Sequence, residues 1–225
     1  MSTTFKTNPD LMLGSKIKTN KGDFSDEIDY NDHKINFVMR HATDKDVLDL
    51  GCVDHDPEAY NSRYWVHKGL VAKAKSVVGF DLSQEGVDYL NERGYDILHG
   101  DAQNFDLDRK FDIIVAGDLI EHLEDFAGFL ESCKAHLRPG GSLLISTPNP
   151  WYWRFIVLAI LHKEVRNNPE HTCWLCPRTL RQLVRRHGMD VADIEFGSRY
   201  VRDRFMPLPR GVKHTSWHAR VFVPA

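Results

Sequence analysis

Val47-Leu48-Asp49-Leu50-Gly51-Cys52 is a short apolar strand that runs into an acid and then a glycine. A glycine lets the backbone turn sharply with no side chain in the way. The pattern recurs downstream. Val77-Val78-Gly79-Phe80-Asp81 also ends in an acid, Gly100-Asp101 follows a third short strand at 95–98, and the apolar run from Phe111 to Ala116 stops at Gly117-Asp118. Strands alternating with helical patterns predict a parallel α/β sheet with right-handed crossovers. Glycines and acids at four strand ends place a ligand crevice beyond the carboxyl edge of that sheet.

Outward from this edge, the apolar positions Ile35, Phe37, Val38 and Met39 predict a helix over 29–41 beside the sheet. A second helix is expected over 60–75, and a third begins after Ser83, whose hydroxyl can cap it. A fourth is expected over 121–136, stopped by Arg138-Pro139-Gly140-Gly141, which turns the chain into a fifth strand at 142–147. Pro177 opens a helix over 178–187 that Gly188 closes, and β-like segments at 191–196 and 217–223 finish the chain. Residues 1–24 are polar and aperiodic and read as a flexible arm. Residues 25–225 read as one domain, with 151–176 as a substrate-covering insertion.

The 225 residues suffice for one core without disulfides or structural metal. A net charge of −3 argues against a nucleic-acid-coating protein. The charge is uneven: 13 basic and 6 acidic residues from Trp151 onward (+7) against 16 and 26 before it (−10). The basic third suits either an anionic partner or a solvated surface. Cys173-x-x-Cys176 has no second pair to complete a zinc set, so buried or lid cysteines are the reading. The N-terminus lacks a signal-peptide core, and the longest apolar run, 155–161, is too short to span a bilayer, so a cytoplasmic protein is expected.

The order of glycine turn, strand-end acid, Gly-Asp-Ala and Arg-Pro-Gly-Gly resembles the class I S-adenosylmethionine-dependent methyltransferases over about residues 45–150. That resemblance implies a Rossmann-like, seven-stranded, mostly parallel sheet with helices on both faces and an antiparallel last strand. It implies that Gly51, Cys52 and Gly117 line the methionine end and that Asp49 supports the glycine loop. Asp81, with Leu82 beside it, would take the ribose hydroxyls, and Asp101 with the Ala102 amide would read the adenine. One departure is plain. The family's loop usually reads Gly-x-Gly-x-Gly, whereas here Val53 and His55 hold the second and third glycine positions. Side chains there require an altered path. Asp81 lies 32 residues beyond Asp49, so the intervening loop is expected to be enlarged, and Asp54, His55 and Asp56 within it read as polar turn formers.

If a helix starts at the end of the fourth strand, Asp118, Glu121 and His122 share one face at i, i+3 and i+4. Two carboxylates and an imidazole form a divalent-metal half-site suited to Mg²⁺ or Mn²⁺. The plainer alternative has Asp118 touching the cofactor, Glu121 packing and His122 buried. His171 lies in the covering segment. The set looks like the plant small-RNA 2′-O-methyltransferases and the quinone-pathway O-methyltransferases, which share the Glu-His. That resemblance implies Asp118, Glu121, His122 and His171 as metal ligands, with His171 or His122 as an alternative general base.

The acceptor expected is a saccharide or similar hydroxylated small molecule, O-methylated with metal assistance. Two other readings stand beside it. One is a quinone-precursor enzyme using 151–161, flanked by Arg154 and Lys163, as a peripheral membrane contact. The other is a non-catalytic cofactor-binding scaffold, suggested by the altered glycine loop alone. Trp151, Tyr152, Trp153 and Phe155 suit stacking on an acceptor and packing as a lid equally well.

Overall fold

The computed structural model describes residues 28–53, 60–163, 165, 168–197, 200, 203 and 205–224. The proposed flexible arm and Asp54, His55 and Asp56 lie outside the described residues. The strands are β1 (Asp46–Leu50), β2 (Ser76–Asp81), β3 (Ile97–His99), β4 (Phe111–Gly117), β5 (Leu137–Pro148), β6 (Asp190–Gly197) and β7 (Ser216–Phe222). They form one sheet in the order β3-β2-β1-β4-β5-β7-β6. The pairs among β1 to β5 are parallel, and β7 runs antiparallel to both β5 and β6. This is the seven-stranded Rossmann-like architecture expected.

All five residues of β1 are buried, so the strand is covered on both faces. On one side lie α1 (His33–Ala42) and α2 (Val66–Lys73), where Ile35, Phe37 and Leu70 pack on Val47, Ile113 and Leu144. On the other lie α4 (Phe126–His136) and α6 (Pro177–Arg186), where Phe129, Leu130 and Leu180 meet Leu48, Ile114 and Trp217. Further helices are α3 (Gln84–Asn91), capped by Ser83 as its sequence predicts, α5 (Trp153–Ile160) and the single-turn α7 (Arg210–Lys213).

A polar clamp closes the opposite edge. Arg138 reaches Asp46 at 2.7 Å and Asp112 at 3.0 Å, tying the starts of β1 and β4 to the Arg-Pro-Gly-Gly turn. The guanidinium, helped by the Ser76 hydroxyl, holds the Asp46 carboxyl down at about 2. Gly140 sits at φ +79°, the left-handed region that the turn needs.

Two helices differ from the sequence expectation. The second is α2 alone, eight residues rather than the whole of 60–75. The helix expected over 121–136 is broken into a single 3₁₀ turn, Ile120–His122, and then α4. The reason is local. Asp118 adopts φ +51°, so no helix runs through it; Leu123 is extended at ψ 148° and ends the 3₁₀ turn, and the Asp125 side chain accepts the Gly128 amide at 2.9 Å and starts α4 at Phe126, five residues later than the expected start at 121. Among the described residues, no helix is long and apolar enough to cross a membrane.

His218, at the centre of β7, is only 1% exposed and neither ring nitrogen has a hydrogen-bond partner. Its ring stacks on Phe37 with centroids 5.4 Å apart. Burial pulls its pKa from 6.5 down to about 4, against the opposing pull of Asp118. Because the folded value lies below the unfolded one, the neutral imidazole is fully compatible with folding above pH 6.5, and stability falls as pH drops from there toward 4. The drop amounts to about 3 kcal/mol. Urea unfolding between pH 7 and pH 4.5 is expected to show this loss, and His218→Leu should remove most of it.

Candidate functional site

A cleft of about 720 Å³ opens at the carboxyl ends of β1, β2 and β4. All of the proposed cofactor residues border it: Asp49, Gly51, Cys52, Asp81, Leu82, Asp101, Ala102 and Gly117. So do Asp118, Glu121, His122 and His171.

 The helix-capping Asp32 and the strand residue Ser216, 184 residues apart in the chain, both border this opening.

The half of the cleft bordered by the proposed cofactor residues is built on β1 and β2. Gly51 turns at φ +69°, and its amide donates to the Phe80 carbonyl at 2.8 Å. Asp49 points into the protein, where its carboxylate meets His67 Nδ1 at 2.9 Å and both groups are buried. Asp81 accepts the Val53 amide at 2.8 Å and the Ser83 amide at 2.9 Å. Burial pushes its carboxyl up, and those two amides pull the other way. Asp101 accepts the amide of Gln103 at 2.9 Å, and Gln103 Oε1 in turn accepts the amides of Glu124 and Asp125 at 2.8 and 2.7 Å. The adenine-reading candidate is thereby hitched to the start of α4.

The reacting end divides the four proposed ligands into three and one. Ligand atoms of Glu121, His122 and His171 lie within 4.8 Å of one another. Asp118 is outside that group. Its left-handed backbone turns the carboxylate toward Lys34 Nζ at 2.8 Å and the Ser146 hydroxyl at 2.9 Å. Burial would raise the Asp118 pKa, but the Lys34 ammonium outweighs it and the carboxyl is held low. Glu121 has the opposite fate. It is 1% exposed, neither carboxylate oxygen has a hydrogen-bond partner, and burial with the nearby Asp118 charge pushes it up to about 8. A buried carboxylate without donors is costly unless a proton or a cation joins it.

His171 is brought in by backbone stitching. Thr172 donates its amide to the Glu121 carbonyl at 2.8 Å and its hydroxyl to the Leu123 carbonyl at 2.8 Å. The rings of His122 and His171 then meet edge to face, with centroids 4.6 Å apart. Of the covering segment, Asn168, Glu170 and His171 border the cleft, while the proposed stacking residues Trp151, Tyr152, Trp153 and Phe155 do not. Tyr152 is instead buried, with its hydroxyl donating to Asp203 at 2.8 Å. Cys176 caps α6, so the Cys-x-x-Cys pattern has a helix-starting member.

Sequence reasoning missed Lys34, His67 and Ser146. Each lies on a different element from the group it serves, and no local spacing marks it.

Residues 24–194 match the methyltransferase domain family. Over 160 residues the chain is 33% identical to a probable S-adenosylmethionine-dependent methyltransferase of Mycolicibacterium smegmatis, covering 69% of this chain and 56% of that protein. It is 27% identical to a ubiquinone biosynthesis O-methyltransferase of Aromatoleum aromaticum, covering 73% of each. In fold it is similar to an S-adenosylmethionine-dependent methyltransferase from Clostridium acetobutylicum, with a TM-score of 0.60 at 15% identity over 89% of this chain and 94% of that one. A glycopeptide N-methyltransferase complexed with S-adenosylmethionine gives 0.59 at 17% identity, over 88% and 97%.

Isothermal titration with S-adenosylmethionine is expected to show binding by the wild type. Asp81→Ala removes a charged acceptor and the anchor of Val53 together, and should weaken that binding by about 10- to 100-fold.

Proposed function

The chain belongs to the methyltransferase domain family and is a class I S-adenosylmethionine-dependent methyltransferase, and on that premise we propose that it methylates a hydroxyl oxygen of a saccharide or similar small molecule with neighbouring hydroxyls. The observation that carries this reading is Glu121, a buried carboxylate without a partner, set beside two imidazoles at the reacting end. An amine acceptor needs no such group, because its neutral form already carries a lone pair. A hydroxyl is too weak an acid to attack a sulfonium methyl without losing its proton as the bond forms.

Glu121, His122 and His171 fit a divalent ion: the orphaned carboxylate oxygens lack a positive partner, and the donor atoms lie close together. When bound there, such an ion supplies a Lewis acid that makes the acceptor hydroxyl more acidic and helps to place it. Two nitrogen donors suit Mn²⁺ better than Mg²⁺. Where no ion is bound, His171 or His122 is the candidate base for the hydroxyl proton. The transfer itself forms the C–O bond as the methyl C–S bond breaks, leaving the thioether product. The chain's remaining contribution is orientation, since in-line transfer gains chiefly from holding the two partners together.

Asn168, Glu170, Thr215 and Ser216 border the cleft with polar groups, which supports a sugar-like acceptor. A second reading, a quinone-precursor O-methyltransferase with a peripheral membrane contact, draws on α5. That helix buries none of its residues and exposes Ile156, Val157 and Ile160 beside Arg154.

Transfer from labelled S-adenosylmethionine to a panel of saccharides and dihydroxy-aromatics is the test. The first reading expects saccharide methylation that EDTA lowers and Mn²⁺ restores, and Glu121→Gln should cut kcat/KM by about 100-fold. Methylation of the aromatics alone, together with flotation on anionic lipid vesicles, would replace it by the second. Methylation of amines only would remove both.

A further inference from the structure

The described start of the loop after β1 carries Val53 at a usual glycine position, beside the cleft. The side chains of Cys52 and Val53 pack backward. Cys52 is buried, and its Sγ lies 2.7 Å from where a Cβ on Gly79 would stand. Val53 Cγ1 lies 2.4 Å from where a Cβ on Gly86 would stand, and Val53 Cβ lies 3.3 Å from it. Gly79 belongs to β2 and Gly86 to the first turn of α3.

Both glycines are locally unfavourable. A helical glycine costs up to about 1 kcal/mol relative to alanine, and a strand glycine weakens its strand. The loop side chains come closest to the room they leave, with Ile97 and His67 also against Gly79 and the Ser83 hydroxyl 3.2 Å from where a Cβ on Gly86 would stand. The loop's backbone is fixed at the same time: the Val53 amide donates to Asp81 at 2.8 Å, and the Cys52 carbonyl accepts the Trp65 indole at 2.8 Å. A loop clamped in this way has only two directions for its side chains, into the cofactor cleft or into the neighbouring elements.

We infer that Gly86, with Gly79 behind Cys52, is a positioning residue for the cofactor site: it takes up the Val53 side chain and so keeps the cleft clear without a second glycine in the loop. Gly86 itself does not border the cleft, whereas Val53 does. The inference rests on the reading of this cleft as the S-adenosylmethionine site.

The experiment is titration of S-adenosylmethionine into wild type, Gly86→Ala, Val53→Gly and the double variant, each checked by thermal melting. Gly86→Ala improves helix propensity, so a purely local effect would leave binding unchanged or the fold firmer. The expected result is at least a tenfold weaker affinity in Gly86→Ala, return to within threefold of wild type in the double variant, and near-wild-type binding by Val53→Gly. Should Gly86→Ala fail to fold, Val53→Leu enlarges the other partner and is expected to show the same loss, relieved by no change at a remote site. Wild-type affinity in folded Gly86→Ala or folded Val53→Leu, or a double variant as weak as Gly86→Ala, overturns the inference. A wild type that does not bind fails the cofactor reading instead.

Discussion

A chain leaving a strand buried on both faces has one residue in which to turn if it is to pass back over the sheet. Gly51 is that residue, at φ +69°, with the Leu119 side chain 3.0 Å from where a Cβ would stand. From this turn follow the approach of the loop to β2, the amide that Val53 presents to Asp81, and the opening between β1 and β4. The burial of β1 makes the turn obligatory, and the turn makes the cleft.

Electrostatics at the reacting end depend on how two neighbouring acids are treated. Asp118 and Glu121 lie three residues apart, yet one is compensated and the other is not. Burial is the main reason that Glu121 resists ionisation, and the Asp118 carboxylate, held by Lys34 from α1, adds a neighbouring negative charge to it. The unequal pair gives Glu121 a standing demand for a proton or a cation, which is the property that the proposed chemistry uses.

Much of this was legible in the chain. Apolar runs ending in Gly or Asp marked the carboxyl edge of the sheet, and the Ser83 cap and Pro177 start marked two helices, because those signals act over a few residues. Neither the left-handed turn at Asp118 nor the extended Leu123 that ends the 3₁₀ turn was legible, since sequence spacing does not reveal backbone angles. Asp118 therefore looked like a fellow ligand of Glu121 on one helical face, and the structure turns it to Lys34 instead. The open path of the loop at Val53 was hidden for a similar reason. Its answer lies at Gly86, on another element, and only the packing puts the two side by side.

The stitching of Thr172 to the Glu121 and Leu123 carbonyls has a bearing on how such an enzyme changes over generations. Those bonds run to backbone groups of the 3₁₀ turn, so they ask nothing of the side chains of α5 that precede them in sequence. The inserted helix can therefore drift in composition while His171 stays beside Glu121.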